Sequence, residues 1–308
     1  MPGYNHHYIP QKYLQGFTDT GARVSVYELG KGWKYNAGTR VIANESGYYE
    51  LKGRGPEVDP EIFEKMLAHL EASVLTVFEK IDRAEKLEDD DRAAFSVYIA
   101  FMLTRVPRFR NWATKLYSEM KRFELDIRAR HPQGFTDDRV REVFASGKYD
   151  VIVDPQASLD AVMQAPDFAP WIGARTWFFH RATGNDRFIT SDNPVAYFTS
   201  DHFREERAPG RKIGVGLASP DSVLTFPVSK TIALYAVWPP QDRPELNHTT
   251  FYTTASSLVV KHINLITINF STRYVYSSSR NNTLDELIRE CTPPSNERPA
   301  SKSTREGA

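Results

Sequence analysis

Ala93-Ala94-Phe95-Ser96-Val97-Tyr98-Ile99-Ala100-Phe101-Met102-Leu103-Thr104-Arg105-Val106 is the stretch on which the fold turns. Its apolar residues fall on every side of a helix rather than along one stripe, so that helix belongs at the centre of the molecule. Asp89-Asp90-Asp91 before it offers an N-cap and places acids where the helix dipole favours them. Pro107 after it kinks or ends it. Arg105 stands at its end, flanked by Leu103 and Val106. A guanidinium cannot shed its proton, so burial there is costly unless carboxylates or carbonyls answer the charge. Glu71 and Asp192 are the candidate partners.

Working outward, a long helix is expected from near Asp59-Pro60. Phe63, Met66, Leu67, Leu70, Val74, Val77, Phe78 and Ile81 recur every three or four residues and paint one apolar stripe. A third helical stretch, about 108–130, stops at His131-Pro132, and shorter helices are expected at 137–146 and 158–164. Charge is polarised across this half. Residues 57–91 hold 12 acids and 4 bases, a net of −8, and residues 105–130 hold 8 bases and 3 acids, a net of +5. Neighbouring helices with complementary solvated faces account for that most simply.

The character then changes. Alternating or β-rich runs at 176–181 and 187–190 predict a hairpin, and 223–228 with 231–238 predict another around Ser229-Lys230. Residues 232–237 are continuously apolar, as in a strand covered on both faces. Residues 201–220 are expected as a loop, 249–264 as an amphipathic helix, 272–277 as a last strand, and a terminal helix ends near Cys291. Near the start, Pro10 and Gly16 frame a short helix. Residues 23–28 and 33–35 flank a glycine turn in a further hairpin, 47–51 add a short strand, and 52–56 form a loop. The sum is an α+β fold, with a helical bundle in the first half packed against a mainly antiparallel β-sheet from the second. One domain is expected over 1–291, helical over about 57–165 and sheet-rich over about 170–280, with 292–308 a disordered tail.

Composition narrows the classes. The 308 residues carry 39 basic and 39 acidic side chains, which gives no support to bulk binding of nucleic acid or an anionic membrane, although charge alone does not rule nucleic acid out. At 41% hydrophobic, the chain can bury a sizeable core. A lone cysteine forms no intrachain disulfide. The start holds no basic-then-apolar signal, and the best apolar run, 97–103, is far shorter than the roughly 20 residues that span a bilayer. The expectation is a soluble, cytoplasmic protein without a membrane partner.

No phosphate loop, zinc-protease helix or Gly-x-Ser-x-Gly elbow is present. What remains is a set of polar residues in apolar surroundings. His6 and His7 precede the short helix, and Gln11, four residues on, shares a side with His7. Imidazole suits acid, base or metal-ligand roles. In Phe188-Ile189-Thr190-Ser191-Asp192-Asn193-Pro194-Val195 a strand runs into a sharp bend, and strand ends project carboxylates into clefts. If His6, His7, Gln11, Glu71, Arg105, Asp192 and Asn193 converge, they make a polar site. His6, His7 and Asp192 would then be proton carriers or ligands to a divalent metal, Arg105 would hold an anion, and Gln11, Glu71 and Asn193 would line the site. Such a site suits metal-assisted hydrolysis of a phosphodiester or related ester. The alternatives are a binding module for a small or phosphate-bearing ligand or a peptide end, lined by Tyr8, Tyr13, Trp177 and Phe188, or a buried network that only specifies the fold.

Several of these motifs occur together in one family. His6-His7-Tyr8-Ile9-Pro10-Gln11-Lys12-Tyr13-Leu14-Gln15-Gly16-Phe17, Leu70-Glu71, Arg105-Val106-Pro107, residues 188–195, Phe226-Pro227-Val228-Ser229 and the 264–276 stretch resemble the bacterial and fungal domain of unknown function numbered 4238. The resemblance covers roughly residues 5–279. Val106 stands where the family often has threonine. The resemblance implies one domain over most of the chain and brings no reaction, cofactor or partner with it.

Overall fold

A computed structural model describes residues 5–50, 59, 61–131, 133–154, 156–199, 216–280 and 282–291. The apolar stretch forms the helix α4, Asp89–Thr104, and from Phe95 to Thr104 only Val97 is not fully buried. Its start differs in one detail. Glu88 is the N-cap and shares a capping box with Asp91, so the aspartates occupy the first turn. Pro107 stops α4 and opens α5, Pro107–Arg130, at the first-turn position where a missing N–H costs nothing.

Before α4, the expected long helix is two, α2 (Ile62–Ser73) and α3 (Leu75–Asp82). The Ser73 hydroxyl bonds back to the Leu70 carbonyl at 2.8 Å, and the chain breaks at Val74, which turns fully into the core. After α5 come α6 (Asp138–Ala145), α7 (Ala157–Met163) and α8 (Ala169–Gly173), the first two close to expectation.

The strands come from both ends of the chain. β1 (Asn5–His7) pairs with β4 (Asn44–Ser46), which lies just before the predicted 47–51 strand. Gly47 has φ +68° and turns the chain there, and Leu51 falls outside the described residues. Between them lie the short helix α1, Gln11–Gln15, and the hairpin of β2 (Arg23–Glu28) and β3 (Gly32–Gly38), both as read.

In the second half β5 (Thr176–Arg181) does not pair with 187–190. It is flanked by β9 (Ile232–Val237), antiparallel, and by β10 (Thr250–Thr254), parallel. The predicted hairpin fails because the Asn264 side chain accepts the Ile189 N–H at 3.1 Å and donates to the Arg187 carbonyl at 2.9 Å. Those backbone groups are therefore satisfied without a strand partner. Only Thr190–Ser191 is extended, as β6, and it joins β11 (Tyr274–Ser277). The predicted 249–264 helix is likewise divided. Thr250-Phe251-Tyr252-Thr253-Thr254 is rich in β-branched and aromatic residues and forms β10, and α9 (Ser257–Phe270) begins only after the Ser256 cap.

Two main sheets result. One has the order β10-β5-β9-β8-β7, with β7 Ala196–Thr199 and β8 Ser222–Pro227. The other, wholly antiparallel, has the order β3-β2-β11-β6 and joins the front of the chain to its end. The β8–β9 hairpin is as expected. A last helix, α10, spans Asn282–Cys291. The architecture is α+β, with helices mainly in 62–173. The loop expected at 52–56, residues 201–215 of the loop expected at 201–220, and the tail at 292–308 lie outside the described residues. No helix among the described residues is long and apolar enough to cross a membrane.

α4 crosses the five-stranded sheet. Phe95 meets Trp177 at 5.8 Å, Phe179 at 6.3 Å and Phe226 at 6.2 Å. Two arginines lock this layer through carbonyl groups, with no ion pair to a carboxylate among the described residues. Arg175 donates to the carbonyls of Trp171, Ser222, Ala236 and Leu217 and to the Ser222 hydroxyl, and Arg92 lies over the Trp177 ring at 3.9 Å while donating to the Gly173 and Arg175 carbonyls. Burial brings both guanidinium groups down to about 10. Arg175 holds three chain segments through charge-assisted bonds. Arg175→Met should therefore lower unfolding free energy by about 3 kcal/mol or more in urea titration, and a loss below about 1 kcal/mol would contradict that role.

Candidate functional site

Arg105 sits at the C-cap of α4, so its direction is set by the helix, and its side chain is 2% exposed. Nη1 donates to Glu71 Oε1 at 2.7 Å, Nη2 to the His7 carbonyl at 2.6 Å and Nε to the Tyr49 hydroxyl at 3.0 Å. One guanidinium thus ties together α2, β1 and the turn after β4. Burial works against its charge, and Tyr49 and Glu71 more than offset that, holding its pKa above the ordinary value. Of the two candidate partners named from sequence, Glu71 and Asp192, Glu71 is the one that pairs with it. The pair also joins the two oppositely charged stretches, since Glu71 belongs to the acidic one and Arg105 to the basic one.

The histidines reach this node through backbone rather than imidazole. His6 is buried, and its Nδ1 accepts the Tyr49 N–H at 3.0 Å, so a neutral ring carries its proton on Nε2. His7 Nε2 lies 3.2 Å from the Arg40 carbonyl and its Nδ1 3.4 Å from Gln11 Nε2, which matches a neutral ring donating at one end and accepting at the other. The predicted His7–Gln11 pairing is therefore present. Burial is the main cause that lowers both imidazoles below their usual 6.5.

Asp192 and Asn193 occupy a different place. Asp192, 5% exposed, accepts the backbone N–H groups of Thr272, Arg273 and Tyr274 at 2.7–3.0 Å, clamping the entry to β11. Burial raises its carboxyl, and those N–H groups pull the other way. Asn193 donates to the Phe270 carbonyl at 2.8 Å. Among the described residues no hydrogen bond or ion pair joins Asp192 or Asn193 to Arg105, Glu71 or either imidazole. His6, His7, Gln11, Glu71 and Arg105 are thus linked through hydrogen bonds, and Asp192 and Asn193 are bonded elsewhere, although Asp192 acts electrostatically on Tyr8 beside His7. No three His, Cys, Asp or Glu side chains among the described residues are grouped to hold a metal ion.

Beside the node a cleft of about 480 Å³ opens between α1, the α2–α3 face and the β8–β9 turn. Glu71, Leu75, Phe78 and Asp82 fall on its helical wall at spacings of four, three and four, and Pro10, Tyr13 and Gly16 stand opposite. The backbones approach closely here, since a Cβ on Gly16 would lie 3.2 Å from the Tyr13 carbonyl and 3.3 Å from Ser229 Cβ. Tyr98 of α4 forms part of the lining. It is 2% exposed, and no group among the described residues hydrogen-bonds its hydroxyl; burial, then Glu71, pushes its pKa well above normal. Glu71 uses only Oε1 toward Arg105. Of the aromatic residues expected to line a site, Tyr13 does so. Trp177 lies instead under Arg92, Phe188 packs in a cluster with Ile263, and the Tyr8 ring packs at a tilt against Tyr48. Tyr98 was missed because the α4 sequence reads as core on every side.

A family model described as "Protein of unknown function (DUF4238)" matches residues 5–281. No curated protein and no solved structure matches the chain.

The neutral His6 gives a pH signature. Its folded pKa lies below the unfolded value of about 6.5, so the unfolded state binds the extra proton first as pH falls. Stability should therefore drop as pH is lowered through 6.5 and level off below the folded pKa, with a slope of up to about 1.4 kcal/mol per pH unit for this one group. His6→Asn keeps an acceptor for Tyr49 and does not titrate. Its denaturation free energy measured from pH 8 to 5 should have the shallower slope; an equal slope would mean His6 is not the buried neutral group described.

Proposed function

We propose that this chain, which belongs to the DUF4238 family, is a binding module for a small organic ligand that carries a hydrogen-bond donor on an apolar or aromatic body. The carrying observation is the Tyr98 hydroxyl, free of protein partners among the described residues and set in the lining of the cleft with Glu71, which bonds Arg105 through Oε1. A ligand donor seated between the hydroxyl and the carboxylate forms hydrogen bonds to both, the second of them charge-assisted. Phe78, Leu75 and Ile232 supply apolar wall for the ligand body. Pro10, Tyr13, Gly16, Glu71, Val228 and Ser229, which line the same cleft, all come from the motifs that mark the family.

Hydrolysis of a phosphodiester or related ester, with or without a divalent metal, is less well supported. Among the described residues the cleft lining contains no histidine, and His6 and His7 each have a ring nitrogen engaged by the protein. A phosphate-bearing ligand is disfavoured by Glu71, Glu79 and Asp82, against which the lining sets Lys12 and Arg83.

Calorimetric titration with tyramine and benzylamine, and with phenyl phosphate as the anionic control, tests the reading. The amines should bind and the phosphate should not. Tyr98→Phe should weaken amine binding about tenfold, the worth of one hydrogen bond, with the melting temperature unchanged because the hydroxyl has no protein partner to lose. Equal binding by wild type and Tyr98→Phe, or preference for the phosphate, would overturn it.

A further inference from the structure

α5 carries a feature that the cleft does not use. Trp112, Leu116, Met120, Phe123 and Ile127 recur every three or four residues, and all five are exposed, Trp112 at 56% and Phe123 at 68%. At helical pitch they lie within an arc of about 80° and form one stripe ~22 Å long. Half-buried Phe109 extends it, with its ring 5.3 Å from Trp112. The buried positions of the helix are the small Ala113 and Ala129. A contiguous apolar stripe of this kind on a surface marks an interaction site.

Charge selects the occupant. Lys115, Glu119, Arg122 and Asp126 run along one edge of the stripe with alternating sign. A second copy laid antiparallel across a two-fold axis sets Lys115 against Asp126 of that copy, and Glu119 against its Arg122, each twice. The same register brings Leu116 opposite Phe123 and Trp112 opposite Ile127, with Met120 near its own mate. A parallel arrangement turns this edge toward the opposite edge of the mate, so the four charges do not meet their complements. An anionic membrane fits less well, because Glu119 and Asp126 on the rim would face its headgroups. Within one chain Lys115 reaches Glu119 only at 3.8 Å, and Asp126 offers one oxygen to Tyr149, which leaves the other for a partner lysine.

We propose that α5 is a self-association face through which two copies of this chain pair antiparallel. The inference is independent of the cleft. A single helix seam lies near the lower bound of specific interfaces, about 1,000 Å² in total.

Sedimentation velocity of the full chain from roughly 1 to 200 μM should show conversion of monomer to dimer. Phe123→Glu should weaken that conversion at least tenfold without a change in melting temperature. The geometry has its own test in a Cys291→Ser background. Met120→Cys should form a disulfide-linked dimer under mild oxidation, and Trp112→Cys should not, since its mate lies about 22 Å away. A monomer at every concentration overturns the proposal. Equal cross-linking at both positions, or binding to anionic phosphatidylserine vesicles in place of dimerisation, also overturns it.

Discussion

The interaction on which the rest depends is the buried charge at the end of α4. A guanidinium taken out of water keeps its proton, so the chain must bring oxygen atoms to it. Those atoms come from three segments distant in sequence: the Glu71 carboxylate, the Tyr49 hydroxyl and the His7 carbonyl. Arg105 therefore works less as an anion holder than as the post to which the front of the chain is tied. Its own carbonyl accepts from the Tyr48 hydroxyl at 2.9 Å and completes the bracket from the other side.

From that constraint the cleft follows. With β1 held by Arg105, the short helix α1 is carried across the α2–α3 face, and Gly16 comes close enough to Ser229 for the Gly16 carbonyl to accept the Lys230 N–H at 2.9 Å. Tyr13 is fixed by its hydroxyl, which lies 2.7 Å from both Thr190 Oγ1 and the Pro227 carbonyl. One wall is therefore anchored at two points, and Glu71 serves both the anchor and the opening. The same carboxylate that neutralises the post supplies the polar end of the proposed ligand site.

How much of this was legible depends on whether the governing forces are local. The central helix was, because burial on all sides leaves a direct mark on the composition of 93–106. So was the β8–β9 hairpin, whose turn is only Val228 to Thr231. The Arg105–Glu71 pair could be anticipated because a charge at the end of an apolar helix demands a partner. The role of Asp192 could not, since its partners are backbone N–H groups 80 residues away that have no sequence signature. Asn264 is similar. One side chain standing in for a strand partner removed a hairpin that the β-propensity of 187–190 had favoured. Tyr98 illustrates the opposite failure, in which a residue with core spacing and core burial leaves its one polar atom facing a cavity.

The direct test of the anchoring role is hydrogen exchange by mass spectrometry on wild type and Arg105→Met. If Arg105 is the post, protection should fall selectively in peptides covering 5–17 and 44–50, with the β5–β9–β8 strands protected as before. Unchanged protection at 5–17, or a uniform loss across both sheets, would show that the front of the chain is held by something else.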